Sequence, residues 1–197
     1  MRKLALALML MAAPAAATTL EIDVTGEAEG TIVIDLFEQV APQHVERITR
    51  LAREGAYDEV VFHRVIEGFM AQTGDVEFGH LGQDMRYAGR GGSEYPDLPA
   101  EFSEDLSFTR GMVGMARAGD PRCGGNPFCE EREEFLNSAN SQFFIMFEPV
   151  PQLDGNYTIV GQVISGMEVV DAIKRGTGRG GAVIGQPDYI TAVRVLD

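Results

Sequence analysis

The sequence predicts a mainly β fold, an eight-stranded closed antiparallel β-barrel capped by two α-helices. About eight short runs have the residue pattern of β-strands, whereas only two stretches have helical spacing. The 23 glycines and 9 prolines provide the many turns that such a barrel requires. With 197 residues, of which 45% are hydrophobic, the chain is long enough for one domain with its own core.

The first predicted elements are a hairpin and a helix. Apolar and acidic residues alternate over residues 20–24, which is the period of a half-buried strand, and the alternation returns over 31–37. A turn containing glycine and glutamate separates these runs, so we expect them to pair. Pro42 then suits a first helical turn, apolar residues follow at helical spacing, and Gly55 ends the helix.

Six further runs with a β-like pattern follow this helix. They cover residues 60–66, 69–73, 112–115, 142–147, 159–164 and 189–196. A second helix is predicted over 167–174, because its apolar residues recur at helical spacing. Short strands broken by turns, with few helices between them, are typical of a closed antiparallel barrel capped by helices.

Residues that could form a binding site occur in two of these runs. Alternation over 69–73 places Met70 and Gln72 on one face of the strand and Phe69 on the other. If the preceding run pairs with it, Arg64 can reach the Gln72 side chain. Arginine and glutamine beside phenylalanine and methionine are typical of a shallow apolar pocket with a few convergent donors. A core with an edge-exposed arginine explains these residues equally well.

The first 17 residues have the pattern of a cleaved signal peptide. Two basic residues precede an apolar run over 4–13, and three alanines at 15–17 are the small residues that signal peptidase accepts. The apolar run is too short to span a hydrocarbon core of about 30 Å, and nothing amphipathic supports a core helix. We therefore expect residues 1–17 to be removed, leaving a mature domain over 18–197 without stable membrane insertion.

The charge of the chain excludes two classes of partner. Its formal net charge is −14, and the loss of the two basic residues of the signal peptide makes the mature chain more acidic. Such a surface repels phosphate groups, and no cluster of lysines and arginines reverses this locally. We expect no binding to nucleic acid or to anionic membranes.

The segment 118–141 is long, polar and irregular, and such segments are usually functional or tied down. It contains Cys123, Cys129 and an acidic run over 130–134. Export places the two cysteines in an oxidising compartment, where we expect them to form a structural disulfide. The cysteine spacing does not fit a Cys-x-x-Cys redox motif, and the three histidines add no metal-binding spacing.

Three blocks combine aromatic, glycine and polar residues. They are Phe-His-Arg-Val-Ile-Glu-Gly-Phe-Met-Ala-Gln-Thr-Gly-Asp at 62–75, Gly-Met-Val-Gly-Met-Ala at 111–116, and Ser-Gln-Phe-Phe-Ile at 141–145, followed by Leu-Asp-Gly at 153–155. In order and spacing these blocks resemble the cyclophilins, and the likeness covers essentially the whole mature chain. The resemblance implies peptidyl-prolyl cis/trans isomerase activity on proline-containing polypeptides, with the active groove on the outer face of the barrel.

The resemblance also implies which residues form the site. It places the catalytic arginine on Arg64 and the substrate-orienting glutamine on Gln72. The residues of the proline pocket fall on Phe69, which we group with the catalytic residues, and on Met70, Phe144, Leu153 and Tyr157, the last where many members have histidine. Ala116 and Gln142 line the neighbouring groove, which holds the residues before the proline. We expect no nucleophile, metal or cofactor to be needed.

The chain departs from the family pattern at three places. Gln152 stands where the family often has tryptophan, so we expect weak or no binding of cyclosporin. Arg117 replaces the usual asparagine at a substrate-binding position that contacts substrate chiefly through its backbone, so we expect altered affinity rather than lost activity. The segment 118–141, called the insert below, replaces a short family loop. We expect the protein to be a monomer.

Two other functions fit parts of the sequence. A cyclophilin-like binding or holdase module would hold proline-containing segments without turnover, but the side chains nearest the reacting bond, including Arg64 and Phe144, are present. A hydrolase with His63 as general base lacks a nucleophile motif around any serine. A glycan on the sequon at 156–158 would crowd the pocket, and no endoplasmic-reticulum retention signal ends the chain. We therefore expect a location in a bacterial periplasm.

Overall fold

The computed structural model describes residues 18–124 and 129–196. The predicted signal peptide, residues 1–17, lies outside these ranges. Eight β-strands are described, namely β1 (Thr19–Thr25), β2 (Gly30–Leu36), β3 (Arg64–Ile66), β4 (Met70–Thr73), β5 (Met112–Met115), β6 (Phe143–Met146), β7 (Ile159–Ser165) and β8 (Tyr189–Leu196). The described α-helices are α1 (Pro42–Arg53), α2 (Glu133–Leu136) and α3 (Met167–Ala172). No helix within these ranges has the length and apolar character that crossing a membrane requires.

The eight strands form one antiparallel sheet that curls on itself. Their order across the sheet is β3-β4-β6-β5-β7-β2-β1-β8, and each neighbouring pair is antiparallel. The chain just before β3 meets β8, where the Phe62 amide donates to the Asp188 carbonyl and the Ile190 amide donates to the Val60 carbonyl, each over 2.9 Å. These bonds bring the two edges of the sheet together. The predicted fold class, mainly β with eight antiparallel strands, is confirmed.

The barrel interior follows from the alternation of apolar residues in the sequence. On β1, Leu20, Ile22 and Val24 are buried, while the residues between them are partly exposed. Each fully buried aliphatic side chain stabilises the fold by roughly 1.5–3 kcal/mol relative to leaving it in water. The helix α1 packs against β8 and α3 packs against β2, so the two longer helices cover the barrel as predicted.

Two predicted elements are longer than the structure shows, namely the strand over 60–66 and the helix over 167–174. Of the run 60–66, only Arg64–Ile66 joins the sheet as a strand, because Val60 and Val61 form isolated bridges to other segments. The helix predicted over 167–174 ends at Ala172. It stops there because the Lys174 amide donates to the buried Asp188 carboxylate over 2.7 Å instead of to a helix carbonyl.

The sequence predicted an irregular insert. This prediction is wrong in one respect, because the insert contains the single-turn helix α2. Glu133 and Glu134 occupy the first turn of α2. Carboxylates there interact favourably with the positive end of the helix dipole, so part of the acidic run starts a helix. The predicted disulfide between Cys123 and Cys129 is present and closes the loop before α2.

Candidate active site

The outer face of the sheet carries a second apolar cluster, separate from the barrel interior. On β6, Phe143 and Ile145 belong to the interior core, whereas Phe144 and Met146 belong to this outer cluster. Met70 on the adjacent strand β4 joins the outer cluster. All four residues of β6 are therefore buried, and the outer face offers a rigid apolar floor.

The floor depends on a glycine in β5. Gly114 lies directly opposite Phe144 in the sheet. A Cβ atom at Gly114 would lie 2.5 Å from Phe144 Cζ and 2.7 Å from Phe108 Cε1, closer than real Cβ atoms come. The two phenylalanine rings stack with their centroids 5.7 Å apart, and Tyr157 meets Phe144 edge-on at 5.8 Å. Glycine thus leaves room for the aromatic stack beneath the pocket.

A small pocket of about 140 Å³ opens above this floor. It is lined by Arg64, Phe69, Met70, Gln72, Ala116, Arg117, Phe144, Leu153 and Tyr157. The structure therefore brings together the residues that the sequence assigned to catalysis and to the proline pocket. Drug-sized ligands and cofactors occupy roughly 300–1,000 Å³, so this pocket suits a single small apolar ring.

The strand alternation misplaced one of these residues. It put Phe69 on the face opposite Met70, yet both side chains line the same pocket. The prediction was wrong because Phe69 lies in the turn between β3 and β4, where its amide donates to the Ile66 carbonyl over 3.0 Å. A turn residue does not follow the alternation of the strand that begins after it.

Arg64 is the cation at the edge of the apolar pocket. Its Nε donates to the Gly180 carbonyl over 2.9 Å and its Nη1 donates to Gln72 Oε1 over 3.1 Å. No carboxylate of the described residues is paired with it, and burial lowers the pKa of its guanidinium, with Tyr157 opposing this shift. The guanidinium is therefore fixed, partly dehydrated and without a competing anion, which favours donation to a bound ligand.

A chain of hydrogen bonds through the side-chain amides of Gln72 and Gln142 fixes the position of Arg64. Gln72 lies opposite Arg64 in the pairing of β3 with β4, as predicted. Gln72 Nε2 donates to Gln142 Oε1 over 2.9 Å, and Gln142 Nε2 donates to the Gly91 carbonyl over 2.8 Å. Each amide oxygen accepts a bond and each amide nitrogen donates one, so the orientation of the Gln72 oxygen toward Arg64 is fixed.

A larger groove of about 470 Å³ adjoins the pocket. Ala116 and Gln142 line it, as predicted, together with the glycine-rich loop around Gly91. The buried Asp75 carboxylate holds this loop, because its Oδ2 accepts the amides of Gly89 and Gly91 over 2.7 and 3.0 Å. The groove extends from the pocket over residues of this loop.

Three features of the site carried no signal in the sequence. Gly180 acts on Arg64 through its carbonyl, and a main-chain acceptor has no side-chain pattern. Phe108 lies beneath the pocket but comes from a segment without a recognisable motif. Asp154 accepts the Phe108 amide over 2.8 Å and so ties the loop that carries Leu153 and Tyr157 to the floor. In the sequence, Asp154 appeared only as part of the Leu-Asp-Gly block.

The described residues contain no group of three or more histidine, cysteine, aspartate or glutamate side chains placed to hold a metal ion. The cysteines Cys123 and Cys129 are joined to each other. His63 is buried behind Arg64, where burial lowers its pKa to about 4. Both of its ring nitrogens are buried without a hydrogen-bond partner, so no serine of the described residues is hydrogen-bonded to it.

The comparisons with known proteins agree on one family. The model of the family "Cyclophilin type peptidyl-prolyl cis-trans isomerase/CLD" matches residues 19–195. A probable peptidyl-prolyl cis-trans isomerase of Brucella suis is 51% identical over 164 residues, which are 82% of this chain and 76% of that protein. The peptidyl-prolyl cis-trans isomerase ppi1 of Schizosaccharomyces pombe is 38% identical over 143 residues, 71% of this chain and 76% of its own.

Solved structures agree with the fold. The crystal structure of a cyclophilin type peptidyl-prolyl cis-trans isomerase of Cryptosporidium parvum matches with a TM-score of 0.71 at 25% identity, covering 92% of this chain and 99% of that one. The same protein crystallised in the presence of the dipeptide Ala-Pro matches with a TM-score of 0.69. Fold and pocket define an antiparallel β-barrel protein with a small pocket above an apolar floor on the outside of its sheet. The chain belongs to the cyclophilin type peptidyl-prolyl cis-trans isomerases.

Proposed function

We propose that this isomerase accelerates rotation of X-Pro bonds by donating a hydrogen bond from Arg64 to the prolyl nitrogen in the twisted transition state. The observation that carries the proposal is a fixed guanidinium, free of any carboxylate of the described residues, at the edge of an apolar pocket of about 140 Å³. The substrates are proline-containing polypeptides.

The mechanism follows from the electronic structure of the amide. Resonance gives the peptide bond a rotation barrier of about 18–20 kcal/mol, and an X-Pro bond takes tens of seconds or more to isomerise unaided. In the twisted transition state resonance is lost, and the prolyl nitrogen becomes pyramidal with an available lone pair. A donor aimed at that lone pair binds the transition state better than either planar ground state. One preorganised donor contributes about 3–4 kcal/mol.

The other pocket residues hold the two ends of the rotating bond. Phe69, Met70 and Phe144 grip the proline ring, and Leu153 with Tyr157 closes the pocket on the side of the loop. The neighbouring groove binds the residues before the proline, where Gln72 and Gln142 offer amide groups. Rotation requires no nucleophile and no proton transfer, so these contacts and Arg64 suffice.

The test is the rate of cis-to-trans isomerisation of an Ala-Pro-Phe peptide. With the protein present, the peptide should isomerise much faster than in buffer, and excess of a second proline peptide should compete. A protein that binds the peptide but leaves its rate at the buffer value would act as a holdase, and the proposal would fail.

We further propose that the protein is exported and assists the folding of other exported proteins in the periplasm. The signal-peptide pattern of residues 1–17 supports this, and so does the disulfide, which persists in oxidising compartments. Expressed in a bacterium with its full sequence, the protein should appear in the periplasmic fraction with Thr18 as its first residue. Retention of Met1 in the cytoplasmic fraction contradicts the proposal.

We expect Gln72→Ala to lower kcat/KM about tenfold, because Arg64 Nη1 loses the acceptor that orients it while Nε keeps the Gly180 carbonyl. The control is Gln162→Ala, which removes an amide from β7 outside the pocket. The peptide assay on both variants measures the effect. Equal activity of the two variants would show that the Gln72 bond does not orient Arg64.

A further inference from the structure

The insert is fastened internally by buried charge. The Asp120 carboxylate, whose side chain has no exposed surface, accepts hydrogen bonds from Arg122 Nη2 over 2.7 Å and from Arg132 Nε over 3.0 Å. These two guanidinium groups hold the pKa of Asp120 below its usual range. Together with the disulfide they keep the two ends of the loop side by side.

The Arg117 side chain forms part of the pocket wall and also contacts the insert. The side chain of Arg117 is only 3% exposed, and its Nη1 donates to Glu131 Oε2 of the insert over 2.7 Å. Its Nε donates to the Asn156 carbonyl over 3.1 Å. Its guanidinium lies 4.4 Å from the ring centroid of Tyr157, a cation–π contact. Arg117 thus connects the insert to the side chain that closes the pocket.

Glu131 lines neither the pocket nor the groove, yet it is the carboxylate that holds Arg117. It also accepts the Asp120 amide over 3.2 Å, so its position is set by the folded insert. The Arg117 guanidinium lowers the pKa of Glu131, which keeps it charged at neutral pH.

We propose that Glu131 is a positioning residue for the isomerase reaction, which sets the affinity for the proline ring by holding Arg117 against Tyr157. This inference rests on the proposed function, because it assigns the ring to the pocket beside Arg64.

Without Glu131, the buried Arg117 guanidinium loses its counter-ion, and a buried cation without a partner is strongly disfavoured. Arg117 then turns toward water, and the Tyr157 ring loses its cation–π contact. The loop that carries Tyr157 also loses the hydrogen bond from Arg117 to the Asn156 carbonyl. The pocket then binds the ring less tightly, while Arg64 and its hydrogen bond to Gln72 on the other side of the pocket stay in place.

The experiment measures affinity and turnover separately. Exchange NMR on an Ala-Pro-Phe peptide gives the dissociation constant and the rate of interconversion on the enzyme. We expect Glu131→Gln to weaken peptide binding about threefold to tenfold, with the on-enzyme rate within about twofold of wild type. Glu130→Gln is the matched control, since it removes an exposed charge from the adjacent position. The Tyr157 ring resonances should shift in Glu131→Gln only.

Two further variants keep the test decisive. Glu131→Asp retains the charge with a shorter side chain, so its affinity should lie between wild type and Glu131→Gln. Added to Arg117→Gln, the Glu131 change should have no further effect. Equal affinities of Glu131→Gln and Glu130→Gln, or a loss of on-enzyme rate at unchanged affinity, overturn the inference. Retention of the on-enzyme rate in Arg64→Ala would instead overturn the proposed function, so the two failures are distinct.

Discussion

The Arg64→Ala variant is expected to isomerise an Ala-Pro-Phe peptide about 10²–10³ times more slowly than wild type, with unchanged circular dichroism. The factor follows from the loss of one preorganised donor worth about 3–4 kcal/mol in the transition state. Because this donor acts on the twisted bond and not on the planar peptide, kcat/KM should fall while peptide affinity changes little. Arg64 donates one hydrogen bond to the Gly180 carbonyl and another to Gln72, and the alanine substitution removes both.

Two controls separate chemistry from charge and from packing. Arg64→Lys keeps the positive charge but cannot contact the Gly180 carbonyl and Gln72 through a planar fork, so it should recover little activity. Arg110→Ala removes an exposed arginine that pairs with Asp171 away from the pocket, and it should stay within about twofold of wild type. Full activity of Arg64→Lys would show that charge alone suffices, and activity in Arg64→Ala would remove the donor from the mechanism.

Acidification from pH 6.5 to pH 4 is expected to lower the free energy of unfolding by about 3 kcal/mol through His63 alone. Burial lowers the pKa of His63 to about 4, with the Asp75 carboxylate opposing and Arg64 reinforcing the shift. An unfolded histidine has its pKa near 6.5, so on acidification the unfolded chain takes up the proton first. The stability is therefore complete above pH 6.5 and falls as the pH drops toward 4. His44, whose pKa burial lowers against the pull of Glu101, adds to the loss.

Urea unfolding at pH 7 and pH 5 measures the effect of His63 together with that of His44. The carboxylates with lowered pKa, such as Asp84 at about 2, lose their stabilising effect only at more acidic pH. His63→Gln should reduce the difference between the two pH values by about 2 kcal/mol, whatever its stability at pH 7. An unaltered difference in His63→Gln would mean that folding does not lower the pKa of His63.

The sequence predicted those parts of the site that depend on strand pairing and on residue identity. Arg64 meets Gln72 because two short runs pair with a register that their separation allows. The pocket floor was predictable because Met70 and Phe144 occur in blocks whose residue order resembles the cyclophilins. Local pattern and family likeness both point to the same side chains, and the structure places them around one pocket.

The remaining parts depend on contacts between distant segments, which no local pattern encodes. Arg117 was assigned a contact through its backbone, whereas its side chain pairs with Glu131 inside the insert. The Gly180 carbonyl reaches Arg64 across 116 positions of sequence. Phe69 was misplaced because the limits of a strand are set by hydrogen bonds that alternation cannot show. Such features require the folded arrangement of the whole chain.

The pairing of β1 with both β2 and β8 fixes when this protein can fold. Leu20 lies opposite Ile34 on one side and opposite Val195 on the other, so the first strand and the last strand are neighbours. The sheet therefore stays incomplete until β8 is available to pair with β1. Pairing across such a separation must overcome the entropy of closing the chain between Leu20 and Val195, which makes folding slow. Until then β1 has one unpaired edge. Because such an edge can pair with another chain, the incomplete barrel is vulnerable to aggregation before β8 pairs.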